Sequence, residues 1–174
     1  STLTAAFGAI NAGTHQGAIT VSITGNVTEA AGTSAFLNSS GNGSASYTSV
    51  LVRPTGTGPY TITGTPVTGR GVIELQGADN VTINGDIAGG TVGRDLTITC
   101  ASATTVNLTS AIRVAVLATL AVNGSADGIT ISNCNINGNG TGRNNSSFTS
   151  TTNVENSSFG VYCGGLASGT ANTA

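Results

Sequence analysis

Residues 77–86 read GADNVTINGD, and 48 positions further on the chain repeats the phrase as SADGITISNC. Asp79 aligns with Asp127, Val81 with Ile129, Thr82 with Thr130 and Ile83 with Ile131. A second echo links GVIELQG to AIRVAV and then to FGVYCGG, so that Ile73, Ile112 and Val161 correspond, as do Leu75, Val114 and Cys163. A unit of short strands that recurs every few tens of residues restricts the fold to a solenoid, a propeller or a sandwich. Blade signatures of the propeller type do not occur. Strands of three to six residues with turns of unequal length suit a parallel β-helix, in which each coil gives strands to separate parallel sheets.

Period-two alternation runs through AITVSITG (18–25), TSVLVRP (48–54), YTITG (60–64), GVIELQG (71–77), NVTING (80–85), DLTITC (95–100), AIRVAV (111–116), GITISN (128–133) and FGVYCG (159–164). Alternation of this kind points one set of side chains inward and the other outward. Within the echoed phrase it sends Val81 and Ile83 into the core and Thr82 out. Asp79 is placed to accept a backbone N–H two residues on, and Asn84-Gly85 suits a left-handed corner. Polar stretches at 87–94, 101–110 and 137–158 read as loops leaving the stack.

The first residues differ. Leu3, Ala6, Phe7 and Ile10 share one face at helical spacing, with Thr2 or Thr4 as N-cap and Asn11 or Gly13 as stop. Residues 1–13 are therefore expected to form a short capping α-helix over the open end of coils built from 14–174, where unpaired strand edges need cover.

Composition limits the partners. Charged residues are 7% of the chain, net charge is −2, and the five cations are Arg53, Arg70, Arg94, Arg113 and Arg143. Five scattered arginines cannot neutralise a run of phosphates, so no nucleic-acid partner is expected. The longest apolar run, AIRVAVLATLAV, is broken by an Arg and too short to span a bilayer, so no membrane span is expected. Cys100, Cys134 and Cys163 lack the close spacing of metal or redox motifs and each ends a strand-like run. They read as small buried thiols, or else as a disulfide between stacked strands.

The segments TLTAAFGAINAGTHQGAITVSITGN, SYTSVLVRPTGTGPYTITG, LQGADNVTING, LTIT, AIRV and ITISNCNINGNGTG resemble the opening of large secreted β-helix proteins of Bacteroidetes. Many of those carry a C-terminal type IX secretion sorting domain. The resemblance implies a right-handed parallel β-helix on an extracellular or cell-surface protein of adhesive character. Residues 1–174 include no such domain, and GGLASGTANTA comes just after an expected strand. Either the stack continues in a longer chain, or its open end meets another subunit head to tail.

Parallel β-helices also include polysaccharide lyases and hydrolases, which cluster carboxylates for Ca²⁺ or for acid and base work beside a basic residue. The acidic residues are Glu29, Glu74, Asp79, Asp86, Asp95, Asp127 and Glu155. Asp79, Asp95 and Asp127 each precede an apolar-Thr-Ile strand, as turn caps do. If Asp79 and Asp127 stack, their carboxylates lie about one strand spacing apart, which makes them the candidate site of a weak Ca²⁺ ion. His15 reads as a turn residue. Glu74, Arg113 and Tyr162 share one outward position on successive coils, as an exposed ladder. Thr61, Thr63, Thr82, Thr97, Thr99 and Thr130 point outward and suggest an ice-binding array, a reading that requires coils more uniform than the variable loops imply.

The expectation is thus a structural or adhesive bacterial surface or filament protein without catalysis or cofactor. Carbohydrate or another cell-surface ligand is the expected partner. A polysaccharide-binding or -degrading β-helix and an ice-binding solenoid are the alternatives.

Overall fold

The computed structural model describes residues 1–102, 108–116, 124–138 and 158–166. A helix, α1 (Leu3–Asn11), precedes β1 (Gly17–Ile23), β2 (Val27–Thr28), β3 (Ala35–Asn38), β4 (Tyr47–Pro54), β5 (Tyr60–Gly64), β6 (Gly71–Gln76), β7 (Val81–Asn84), β8 (Leu96–Cys100), β9 (Thr109–Val116), β10 (Thr130–Ser132), β11 (Cys134–Asn137) and β12 (Ser158–Leu166). The strands build three four-stranded sheets: β1-β4-β7-β10 (sheet A), β2-β5-β8-β11 (sheet B) and β3-β6-β9-β12 (sheet C). Every pairing is parallel. Each sheet takes every third strand, so the chain visits A, B and C in turn and then starts a new layer. Parallel strands need a crossover, and here the other two sheets supply it in place of a helix. The architecture is all-β, parallel and solenoid-like, with one short helix.

Inward side chains stack like on like. Val27, Ile62, Ile98 and Ile136 form one column in sheet B, while Val21, Val52, Ile83 and Ile131 form another in sheet A. In sheet C the columns are Ala35, Ile73, Ile112, Val161 and Leu37, Leu75, Val114, Cys163, as the sequence alignment requires. Each aliphatic side chain fully buried in such a column stabilises the fold by about 1.5–3 kcal/mol. Cover is thinner in the last layer, where Val161 is 40% exposed and Ile129, Ile131 and Ile136 are only half-buried.

The two echoed phrases lie on neighbouring parallel strands. Thr82 pairs with Thr130 and Ile83 with Ile131, and the Asn80 N–H donates to the Asp127 carbonyl at 2.8 Å. The left-handed corner falls elsewhere than at Asn84-Gly85. Asn80 (φ 54°) and Gly128 (φ 66°), equivalent residues of the echo, take that conformation, as does Asn133 (φ 55°) between β10 and β11. Gly85 has a different physical reason: a Cβ there would lie 2.0 Å from the Asn133 carbonyl oxygen.

Helix α1 starts and stops for local reasons. Thr2 Oγ1 accepts the Ala5 N–H at 3.1 Å, an N-cap bond. At the other end the Thr14 N–H donates to the Ala9 carbonyl and the Gly13 N–H to the Ile10 carbonyl, both at 2.9 Å, with Gly13 at φ 74°. That pairing is a Schellman stop. Leu3, Phe7 and Ile10 are buried in the main core. Two side chains join the helix to the first layer. Asn11 donates to the Phe36 carbonyl at 2.9 Å and accepts the Asn38 N–H at 3.0 Å, which occupies the free edge of β3. Glu29 accepts the Leu3 N–H at 2.7 Å and the Thr4 hydroxyl at 2.6 Å.

Strands β2, β3 and β11 are additional to the expected set. VT is too short for a period to register, AFLN sits among turn residues, and CNIN carries Asn, which has poor intrinsic strand preference. Their pairing with a good strand in the adjacent layer overrides local propensity. The expected loop at 101–110 gives its last two residues to β9, and its positions 103–107 lie outside the described residues, as do 139–157 of the loop expected at 137–158.

Candidate functional site

The carboxylates mostly hold turns. Asp79 Oδ1 accepts the backbone N–H of Asp127, in the next layer, at 2.8 Å, in place of the expected N–H two residues along its own strand. The Asp127 carboxylate accepts the Ser125 hydroxyl at 3.1 Å. The two residues are thus neighbours, joined through the Asp79 carboxylate and the Asp127 backbone N–H. Asp86 gathers the N–H groups of Ala88 (2.8 Å), Val92 (3.1 Å) and Gly93 (2.7 Å). Those bonds, the Gly93 one foremost, favour its charged form and lower its pKa. Asp95 accepts the Ile87 N–H at 3.0 Å, and Arg53 donates to the Ile87 carbonyl at 3.2 Å, so the 86–95 loop is tied at several points. Glu155 and Arg143 lie outside the described residues. Among the described residues no group of three or more His, Cys, Asp or Glu side chains could hold a metal ion.

Glu74, Arg113 and Tyr162 do stack on successive strands of sheet C, with Phe36 below them. The ladder is not exposed as expected: Glu74 is 0% and Arg113 1% accessible. Glu74 Oε1 accepts from Arg113 at 3.2 Å and from the Gly71 N–H at 3.1 Å, and its Oε2 accepts from Arg70 and Gln76, both at 2.8 Å. A buried carboxylate is tolerated only when paired and bonded in this way. An outward position in a strand pattern says nothing of what lies over it, which is why the sequence read this ladder as solvated.

Sheet B turns a different face outward. Thr28, Thr63, Thr99 and Asn137 form one row across the four strands, and Thr61, Thr97 and Asn135 form a second. All are half-buried or exposed. Asn137 donates to the Thr99 hydroxyl at 3.4 Å. Asn26 extends the second row toward α1, its carboxamide oxygen accepting the Thr61 N–H at 2.9 Å. Of the six threonines expected to form one array, Thr61, Thr63, Thr97 and Thr99 lie here, whereas Thr82 and Thr130 belong to sheet A. There the row is Thr20, Leu51, Thr82, Thr130. The signal for the sheet B rows was the repeated TIT of YTITG and LTITC with its echo NIN.

His15 is exposed in the turn after α1 and borders a cavity of about 260 Å³ with Ala6, Ile10 and Ile19. All three described cysteines are free thiols, Cys100 buried, Cys134 half-buried and Cys163 exposed. Cys163 thus departs from the expected buried thiol, because it occupies the core column in the thinly covered last layer. Burial pushes the Cys134 thiol up to about 11. Burial, with the Asp79 charge adding to it, raises the Tyr47 hydroxyl, which donates to the Asn38 carbonyl. Among the described residues no helix is long and apolar enough to cross a membrane. Comparison with protein-family models, with curated proteins and with solved structures finds no match for this chain.

Proposed function

We propose that the chain is a right-handed parallel β-helix of an extracellular or cell-surface bacterial protein, structural or adhesive in role and without catalysis. The observation that carries this reading is the cycling of successive strands through three parallel sheets under an exterior almost free of charge. A coil stack of this kind is a stiff, uniform scaffold: each layer adds one strand to every sheet and one tier to a continuous apolar column. Helix α1 acts as the cap of the first layer, since it buries its apolar face on the core and uses Asn11 to occupy the edge of β3. The opposite end, with Val161 and Cys163 exposed, suits further coils or a second copy stacked head to tail. Export by a type IX route and a carbohydrate or other surface ligand belong to the same reading and rest on the resemblance in sequence.

The test is location. An antibody raised against the folded chain should label intact producing cells or their filaments. Labelling that appears only after permeabilisation overturns the surface reading.

A further inference from the structure

We propose that the outer face of sheet B is an ice-binding surface. The inference needs the coil stack described above and is independent of where the protein resides. It begins with register. The pairings Thr28–Thr63–Thr99–Asn137 and Thr61–Thr97–Asn135 run from strand to strand without a shift. Sheets A and C each contain an irregularity, at Gly17/Ala18 and at Cys163/Leu166. The variable loops therefore leave the stack without disturbing sheet B, which removes the sequence-based objection to a regular array.

Regular pairing sets a two-dimensional grid, with about 4.8 Å between neighbouring strands and about 6.6 Å between the two rows on one strand. Oxygen rows on the prism face of hexagonal ice have a comparable pair of repeats. Threonine suits such a grid because its β-branch restricts χ1, so hydroxyl and methyl are already ordered before a surface is met. Little side-chain entropy is then lost on binding. The methyls favour an ordered water layer, and the hydroxyls and Asn carboxamides anchor it by hydrogen bonds.

Charge selects the occupant. The two sheet B rows are wholly uncharged, as is an ice lattice, and a strongly hydrated ammonium or carboxylate among them would compete for the same water. The other outer faces are unsuitable. Sheet A places Leu51 in its threonine row and Arg53 opposite Ser22, and sheet C carries Phe36, Glu74, Arg113 and Tyr162. A crystalline polysaccharide is a poorer match, since flat sugar faces are held by aromatic stacking and neither sheet B row contains an aromatic ring.

The experiment is partition of the purified chain into a slowly growing ice front, with thermal hysteresis measured in parallel. Thr63→Tyr and Thr97→Tyr alter sheet B, and Thr82→Tyr alters sheet A. Circular dichroism and thermal melting establish that each variant is folded. The proposal expects the parent chain and Thr82→Tyr to enrich in ice and to show hysteresis, with both signals lost in the sheet B variants. If a tyrosine variant fails to fold, Thr63→Ser and Thr97→Ser, which remove only the methyl, take its place and should weaken both signals. Exclusion of the parent chain from ice overturns the proposal, as does equal behaviour of the sheet A and sheet B variants. Retention on crystalline cellulose or chitin with exclusion from ice overturns it in favour of a carbohydrate surface. Because location is read by antibody labelling, failure here leaves the surface-protein reading to its own test.

Discussion

Glu29 Oε1 accepts the backbone N–H of Leu3 at 2.7 Å, across 26 positions of sequence. A carboxylate that follows β2 thereby satisfies a first-turn donor of α1, where an anion also meets the positive end of the helix dipole. The same group takes the Thr4 hydroxyl through Oε2 at 2.6 Å, and Glu29 is only 3% exposed. The start of the helix and the edge of the first layer are one hydrogen-bonded unit.

Replacing Glu29 with Ala leaves those donors without their acceptor in a buried place. Hydrogen bonds to a charged group contribute about 1.5–3 kcal/mol, and a loss of that size is expected for Glu29→Ala. Glu29→Gln keeps an acceptor and should lose less. Urea unfolding midpoints at neutral pH measure both, and an unchanged midpoint for Glu29→Ala refutes the anchoring role.

Removing one side of the Glu74–Arg113 pair should be among the most damaging single changes. Glu74→Ala takes away the buried carboxylate partner of Arg113, at a cost of about 3–5 kcal/mol, whereas Arg113→Met should cost less because Arg70 still pairs with Glu74. Arg70 also contacts Glu74 but is partly solvated, with 23% of its side chain accessible. Its replacement by Ala should cost about 1 kcal/mol or less. A double-mutant cycle on Glu74 and Arg113 should show strong coupling, and additive losses contradict a direct buried pair.

Gly85 and Gly17 separate close approach from backbone conformation. At Gly85 a methyl meets the Asn133 carbonyl at 2.0 Å, so β7 and the next layer must move apart, and Gly85→Ala should sharply lower the melting temperature. Gly17 has φ 73° and nothing within 4 Å of the added Cβ. There Ala brings only the left-handed penalty of about 1–2 kcal/mol, and Asn less. Equal losses at the two positions argue against the close contact between layers.

Thiol labelling reports the two ends of the burial range. Cys163 is exposed and should react with a maleimide first, while Cys100 is protected until unfolding. Burial holds Cys134 at about 11 against an ordinary 9.0, so its labelling rate should climb with pH well beyond the neutral range. The folded state binds the Cys134 proton more tightly than the unfolded chain. Its contribution to stability is therefore complete below pH 9 and falls as pH rises toward 11. Rapid labelling of Cys134 at neutral pH contradicts its placement.

Much of the fold was legible because a strand pattern of period two carries register with it. The correspondence of Ile73 with Ile112 and of Thr82 with Thr130 along the sequence is also their stacking in space, since a slip by one residue would send every apolar side chain outward. The helix ends were legible to within two candidates each for a like reason, because a cap reaches only a few residues, and the structure chose Thr2 over Thr4 and Gly13 over Asn11. Strands β2 and β11 were not, because two residues and an Asn-rich tetrapeptide have too little pattern of their own and form only against a partner already in place.

By itself the sequence determined which side chains alternate, which phrases repeat and therefore which strands can stack, since these depend on local backbone geometry and composition alone. Only the tertiary structure decided which outward positions share a sheet, and so separated Thr61, Thr63, Thr97 and Thr99 from Thr82 and Thr130. It alone put Glu29 under the first turn of α1 and buried Glu74 with Arg113. The physical reason is common to all three: sheet membership and contacts such as Glu29 with Leu3 and Glu74 with Arg113 join segments distant in sequence, and no period along the chain records them.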